Sequence, residues 1–181
     1  MAATHAPSPP VVRPSIVQAS LIVLAIAVAA AAYIGLNMAL GLKEFYVGFF
    51  FIFFWLGVQK GDVAVLPSTA AGAFYGVALG LALHELPARL GPLPGLLVFL
   101  AIVAVTVFFL IRQQLRIVAN DAAMLFLTLA TIVHIQKNAD LLGMLENLAL
   151  TVALVGAIAW LLARLRSSAA SRSAAATAPQ A

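Results

Sequence analysis

The sequence predicts an all-α integral membrane protein with about six transmembrane segments. Of its 181 residues 64% are hydrophobic and 9% are charged, and the mean hydropathy is +1.10. A chain of this composition has too little polar surface to coat a soluble globule. The apolar runs are continuous rather than alternating, which favours helices over the strands of a membrane barrel. Six segments can be drawn: 16–42, 45–58, 63–83, 92–111, 122–135 and 141–165.

The second and fifth segments are shorter than the others. Each is a mainly apolar run of 14 residues followed by Gln-Lys. The pairs Gln59-Lys60 and Gln136-Lys137 lie 77 positions apart, with Asp62 and Asp140 following. At about 1.5 Å per residue such a helix covers roughly 21 Å of a hydrocarbon core about 30 Å thick. Two interpretations stay open: ordinary spans whose lysines snorkel to the interface, or half-helices and re-entrant elements.

The order long, short, long occurs twice, which suggests two related three-helix units over residues 16–86 and 92–165 of one transmembrane domain. Because each unit has an odd number of segments, the second would enter the membrane inverted relative to the first. Short helices at matching positions of inverted repeats point to a shared site, although two short stretches can also share Gln-Lys by chance. The residues expected to bind substrate are the two Gln-Lys pairs and the polar groups near segment ends: Gln59, Lys60, His134, Gln136, Lys137 and Glu146.

The third segment carries a small residue at every fourth position, namely Gly72, Gly76 and Gly80. These glycines share one helix face, and such a face lets another backbone approach closely. We expect it to pack against a helix of the same chain, for example the alanine-rich stretch 25–32. Contact with a second copy in a homo-oligomer is the alternative.

The distribution of basic residues predicts orientation. Sorting lysine and arginine by alternate loops places seven on one side and three on the other, so by the positive-inside rule both termini face the cytoplasm of a bacterial inner membrane. The formal charge of +4 then reflects topology and not nucleic-acid binding. Residues 1–15 and 166–181 are predicted to be disordered tails. The majority side holds Arg13, Lys60, Arg112, Arg116, Arg164, Arg166 and Arg172, and the minority side holds Lys43, Arg89 and Lys137.

No enzyme signature is present in the sequence. There are no cysteines and only three histidines, and we find no glycine-rich phosphate loop, metalloprotease motif or nucleophile elbow. We therefore expect no catalytic activity, no metal and no cofactor. The expected partners are the lipid bilayer and a small solute.

Several short motifs resemble the small bacterial inner-membrane proteins of domain-of-unknown-function family ten ninety-seven. The resemblance runs from Leu21 to about Leu162 and implies a compact multi-pass domain without an established activity. On either side of Gln59 this chain has Val58 and Lys60, where that family would have proline and glycine. This departure counts against a tight turn at Gln59. The residues that carry the resemblance are Met38 to Leu42, Val47 to Phe49, Gln59 and Gly61, Ser68 to Ala71 with Gly76, and Ile111 to Leu115.

Taken together, these features predict a small-solute transporter or channel. Amide and ammonium groups of the two turns, with the positive ends of half-helices, would suit a neutral or anionic solute. A structural or assembly subunit of a larger membrane complex is the alternative. Gln59 and Gln136 around one cavity would favour transport, and their placement on separate loops beside a closed bundle would favour the subunit.

Overall fold

A computed structural model describes residues 15–138 and 140–176, with the side chains of 133, 134 and 166–176 left out. Within these residues all regular secondary structure is helical and there is no strand, which confirms the all-α prediction. A short 3-10 helix, Val63–Val65, precedes the third α-helix. The α-helices are α1 (Ile16–Ala39), α2 (Tyr46–Gly57), α3 (Leu66–Leu90), α4 (Pro92–Ile111), α5 (Asp121–Ala130), α6 (Val133–Asn138) and α7 (Leu141–Ala176).

Four stretches of the described chain are long and apolar enough to cross a membrane: Ile16–Ala39, Val63–Leu90, Pro92–Ile111 and Leu141–Leu165. The other two apolar helices, α2 and α5, have 12 and 10 residues. At about 1.5 Å per residue they are roughly 18 and 15 Å long, shorter than a hydrocarbon core. The described residues therefore form four helices of membrane length and not the six spans that the sequence predicted.

The fifth segment ends earlier than its apolar run suggests because the helix breaks at Thr131 and Ile132. The Thr131 hydroxyl donates to the carbonyl of Thr128 at 3.0 Å. A threonine side chain that bonds nearby backbone in this way competes with helix continuation. The chain resumes as the separate six-residue helix α6.

The chain divides into two compact units, residues 1–40 and 41–181. The first contains α1, which begins with a capping box. The Ser15 hydroxyl accepts from the Gln18 amide at 3.2 Å, and the Gln18 side chain accepts from the Ser15 amide at 3.0 Å. The side chain of Asn37 is buried and donates to the Tyr33 carbonyl of the same helix at 2.8 Å.

In the second unit α3 is the central helix, and its glycine face packs against α5. A Cβ atom on Gly76 would lie 2.5 Å from the Ala123 carbonyl oxygen, so the two backbones are in direct contact. Along the seam Gly72 faces Asn120 and Gly80 faces Ala130, which means that α3 and α5 run parallel. The glycine face thus packs against a helix of the same chain, as predicted, but that helix is α5. The stretch 25–32 named as an example belongs to the other unit.

The helix α2 packs against the start of α7, also in parallel. The amide of Asp140 donates to a Glu44 carboxylate oxygen at 3.1 Å, and the amide of Gly48 donates to the Asn147 side chain at 2.9 Å. His84 near the end of α3 and Leu141 at the start of α7 line one cavity, so these two long helices are antiparallel. Therefore α2 begins at the end of the bundle where α3 finishes, and it ends where α3 begins.

The third segment, predicted as 63–83, continues as helix past His84 to Leu90. Glu85 and Arg89 form an ion pair at 2.9 Å one helical turn apart. Gly91 then ends α3 with φ of 94°, a conformation that glycine adopts without strain. Pro87 lies inside this helix, and the backbone there packs closely on α4, where a Cβ on Gly95 would lie 2.4 Å from the Pro87 nitrogen.

The C-terminal helix differs from the sequence prediction at its end. α7 continues to Ala176 through residues predicted to be disordered from 166 onwards. This stretch is rich in alanine, the residue with the highest helix propensity. The predicted tail at residues 1–14 and the last five residues, 177–181, lie outside the described residues.

Candidate functional site

The first Gln-Lys turn follows α2 and is tight. Lys60 and Gly61 have φ of 56° and 69°, in the left-handed region. The Gly61 amide donates to the Trp55 carbonyl at 2.9 Å, and the Trp55 indole donates to the Asp62 carbonyl at 2.9 Å. The exposed Lys60 ammonium donates to the Gly57 carbonyl at 3.1 Å. Lys60 thus caps the carboxyl end of α2 and does not line the cavity in which its neighbour Gln59 lies.

The second Gln-Lys pair lies in α6 and contacts α3 and α5. The Gln136 amide group donates to the Gly80 carbonyl at 3.0 Å and also to the Ala130 carbonyl. It therefore ties the end of α5 to the middle of α3. Lys137 is exposed. The side chain of His134 lies outside the described residues.

A polar cavity of about 390 Å³ lies at the start of α5, and we call it the α5 vestibule. Its wall holds the side chain of Gln59, two hydroxyls near the start of α3, and charges of both signs. The Ser68 and Thr69 hydroxyls donate to the Val65 carbonyl, each at 2.9 Å, so their lone pairs remain able to accept from a ligand. The lining residues are Gln59, Val65, Ser68, Thr69, Leu110, Gln113, Arg116, Ala119, Asn120 and Asp121.

A second polar cavity, of about 360 Å³, lies at the start of α2, and we call it the α2 vestibule. Three carboxylates and one ammonium line it. Glu44 is only 9% exposed and accepts from the Asp140 amide, whereas Glu146 is exposed to the cavity. The lining residues are Gly41, Leu42, Lys43, Glu44, Asn138, Asp140, Gly143 and Glu146.

The two vestibules are built alike. Each lies at the start of a short helix, α5 or α2. Residues around the start of the long helix beside it, α3 or α7, complete the lining. An asparagine side chain ties the two together in each case. Asn120 donates to the Ser68 carbonyl of α3 at 2.8 Å, and Asn147 of α7 accepts from the Gly48 amide of α2 at 2.9 Å.

A buried layer of apolar side chains separates the two vestibules, and we call it the septum. At its centre the rings of Phe51 in α2 and Phe126 in α5 lie 6.4 Å apart between centroids. Both rings are completely buried. Since α2 begins at one vestibule and ends at the other, its midpoint at Phe51 lies between them. Other fully buried members of this layer are Val47, Ala73, Val77, Met144 and Leu148.

The structure separates the residues that the sequence grouped into one site. Gln59 lines the α5 vestibule and Glu146 lines the α2 vestibule. Gln136 lines neither, since it borders a smaller cavity of about 210 Å³ beside His84 and Asp140. The two Gln-Lys turns therefore do not converge on one cavity. The reason is that one follows α2 and the other follows α5, and these helices end at opposite ends of the bundle.

Sequence reasoning missed the residues that open each short helix. Glu44 and Asp121 stand 77 positions apart, the same interval as the two Gln-Lys pairs. Each lies immediately before or at the start of a short helix, where a carboxylate is stabilised by the helix dipole. That shared interval was the available signal.

The described residues form an all-α fold with four helices long and apolar enough to cross a membrane and two shorter apolar helices packed among them, which fits a membrane protein. No protein-family model, no curated protein and no solved structure matches the chain. The geometry of the two vestibules is therefore what bears on function.

Proposed function

We propose that the chain is a small-solute transporter or channel of a bacterial inner membrane. The observation that carries this proposal is the pair of polar vestibules at opposite ends of the bundle, divided by the apolar septum. A buried layer between two water-accessible cavities is how a closed pathway through a membrane protein is built. In this state the septum blocks passage, and conduction requires Phe51 and Phe126 to separate.

Two inverted halves would explain why the vestibules are alike. In such a repeat α3 of the first half corresponds to α7 of the second, and α2 corresponds to α5. The pair α3 and α5 then corresponds to the pair α7 and α2, and the two helices of each pair pack side by side and in parallel. The aspartates that precede the long helices follow the same rule, Asp62 by capping the 3-10 helix that leads into α3 and Asp140 by accepting at the start of α7. Asp62 accepts from the amide of Ala64 at 2.8 Å, and Asp140 accepts from the amide of Leu142 at 3.0 Å, each two residues further on. These equivalences support an inverted repeat with α2 and α5 as its short members.

The charges of the vestibules favour a solute without net charge. Arg116 and Asp121 offset each other in the α5 vestibule, and in the α2 vestibule three carboxylates outnumber Lys43. An anion would meet repulsion in the second cavity, because like charges in a partly buried site cost free energy. Of the neutral and anionic solutes expected from the sequence, we therefore propose a neutral amide or a zwitterion.

The test is flux into proteoliposomes for a panel of amides, zwitterions, carboxylates and inorganic anions, measured with Gln59→Ala and Lys60→Met. Gln59 lines the vestibule and its neighbour Lys60 caps a helix end. Gln59 is half-buried, and the loss of an ordinary hydrogen bond costs about 0.5 to 1.5 kcal/mol, or about two- to tenfold in affinity. We expect that loss for Gln59→Ala and near-parental flux for Lys60→Met. Equal flux in both variants would exclude the α5 vestibule as part of the pathway.

The septum also supports the alternative, a structural or assembly subunit. A static bundle needs no route through its centre, and the two glutamine turns lie apart beside a closed core. Absence of flux for every solute, from folded protein in sealed vesicles, would favour this alternative.

A further inference from the structure

An apolar cavity of about 200 Å³ adjoins the α5 vestibule. Both cavities are lined by Ala119, whose small side chain adds little bulk between them. The only polar side chains on the apolar wall bond to each other, since the Tyr75 and Thr106 hydroxyls lie 2.7 Å apart. The remaining lining residues are Val105, Phe109, Leu115 and Val118.

The two cavities are stacked from the end of the bundle towards its middle. On α3, Ser68 and Thr69 line the vestibule while Tyr75 lines the apolar cavity about two turns, or about 10 Å, further from the end of the bundle. On α4, Leu110 lines the vestibule, and the apolar cavity extends from Phe109 inward to Thr106 and Val105. The polar cavity thus lies nearer the end of the bundle and the apolar cavity nearer its middle. A membrane lipid has the same order, with a polar headgroup at the membrane surface and apolar chains in its interior.

The connector between α4 and α5 contributes to both cavities and holds a strained backbone. Gln113 and Leu115 have φ of 53° and 56°, in the left-handed region that non-glycine residues seldom adopt. Gln113 lines the polar cavity and Leu115 lines the apolar one. Strain of this kind persists where the surrounding structure enforces it and is concentrated at ligand sites.

We propose that this pair of cavities binds a zwitterionic phospholipid. The phosphate of the headgroup would bind Arg116, and a primary ammonium would bind Asp121 with the Gln59 amide oxygen accepting from it. One acyl chain would pass Ala119 into the apolar cavity between Tyr75, Val105 and Phe109. Opposite charges on one cavity wall match a headgroup that carries both a phosphate and an ammonium.

A lipid in this position would fill the α5 vestibule and reduce solute flux. Binding itself is independent of the proposed transport activity, because it is measured on purified protein without a solute. Failure of one proposal therefore leaves the other open to its own test.

The experiment measures lipid retained by the purified full-length chain in detergent. Phosphatidylethanolamine, phosphatidylcholine, phosphatidylglycerol and diacylglycerol are offered one at a time and counted by native mass spectrometry. We expect phosphatidylethanolamine to be retained about tenfold better than phosphatidylglycerol or diacylglycerol, the effect of one charge-assisted contact. Phosphatidylcholine should rank between them, because its quaternary ammonium cannot donate a hydrogen bond.

Two variants and a control locate the site. Arg116→Gln should lower phosphatidylethanolamine retention about tenfold, and Ala119→Leu should exclude the acyl chain. Arg112→Gln is the control, because that arginine lies over the ring of Phe108 at 5.7 Å and lines neither cavity. If Ala119→Leu fails to fold, the Arg116 and Arg112 variants still decide. Equal retention of all four lipids, or equal retention by the two arginine variants, would overturn the proposal.

Discussion

At the scale of single residues, Asn120 joins three parts of the bundle. Its side-chain oxygen accepts from the Ala123 amide at 3.1 Å and so caps α5. Its amide group donates to the carbonyl of Ser68 in α3 at 2.8 Å and to that of Arg116 in the connector at 3.2 Å. Gly72 lies against this side chain with no room for a Cβ atom. Asn120 therefore positions the start of α5 relative to the α5 vestibule.

We predict that Asn120→Ala lowers the free energy of unfolding by about 1 to 2 kcal/mol, since it removes a helix cap and leaves a carbonyl in α3 without its donor. Thermal unfolding of the detergent-solubilised protein measures the effect. Gln114→Ala, at an exposed position of the same connector, serves as the control and should change little. Equal melting temperatures of the two variants would show that the Asn120 contacts contribute no net stability.

At the scale of helices, the seam between α3 and α5 brings backbone directly against backbone. At Gly76 a Cβ atom would lie 2.8 Å from the backbone nitrogen of Leu127 and 2.8 Å from the Phe126 Cβ, in addition to the Ala123 carbonyl oxygen. Because two of these three neighbours are backbone atoms, they cannot move without shifting α5 itself. Phe126 is also half of the septum pair, so a shift there reaches the proposed pathway.

We predict that Gly76→Ala destabilises the protein by about 1 to 3 kcal/mol, the usual range for overpacking. Gly156→Ala in α7 is the matched control, since nothing lies within 4 Å of the added Cβ. There the loss of backbone entropy in the unfolded chain should raise stability by about 0.5 to 1 kcal/mol. Thermal unfolding of both variants measures the difference, and a Gly76→Ala protein as stable as Gly156→Ala would contradict the close seam.

At the scale of the whole molecule, orientation follows from charge. The α5 vestibule lies at the end of the bundle that carries Lys60, Arg112 and Arg116. By the positive-inside rule this end should face the cytoplasm. The α2 vestibule, with Lys43 as its only basic lining residue, should then face the opposite side.

We predict that cysteines placed at Arg112 and Ser171 are shielded from an impermeant thiol reagent in intact cells, and that one placed at Arg89 is labelled. The chain has no native cysteine, so labelling reports these positions alone. Permeabilised cells, in which all three should react, provide the control. Labelling at Ser171 in intact cells would reverse the orientation and exchange the sides of the two vestibules.

The limits of the sequence prediction can be seen in particular elements. The fourth segment was predicted as 92–111 and is observed as Pro92–Ile111, because proline and glycine at its start and arginine at its end mark the boundaries. The fifth was predicted as 122–135, yet α5 ends at Ala130. Hydropathy stays high across that break, so composition alone does not reveal it. The sequence also does not show which helix packs on the glycine face, since a face of small residues can pack against any helix with a matching surface.

The sequence by itself determined the helical class, the membrane setting implied by composition, and the recurrence of Gln-Lys at an interval of 77 residues. These are properties of local composition and spacing. Tertiary structure decided that α5 pairs with α3 and α2 with α7, that Lys60 caps its own helix, and that Gln59 and Gln136 line different cavities. Such outcomes depend on which surfaces meet after folding, and in lipid that choice rests on close packing and individual hydrogen bonds rather than on hydrophobicity.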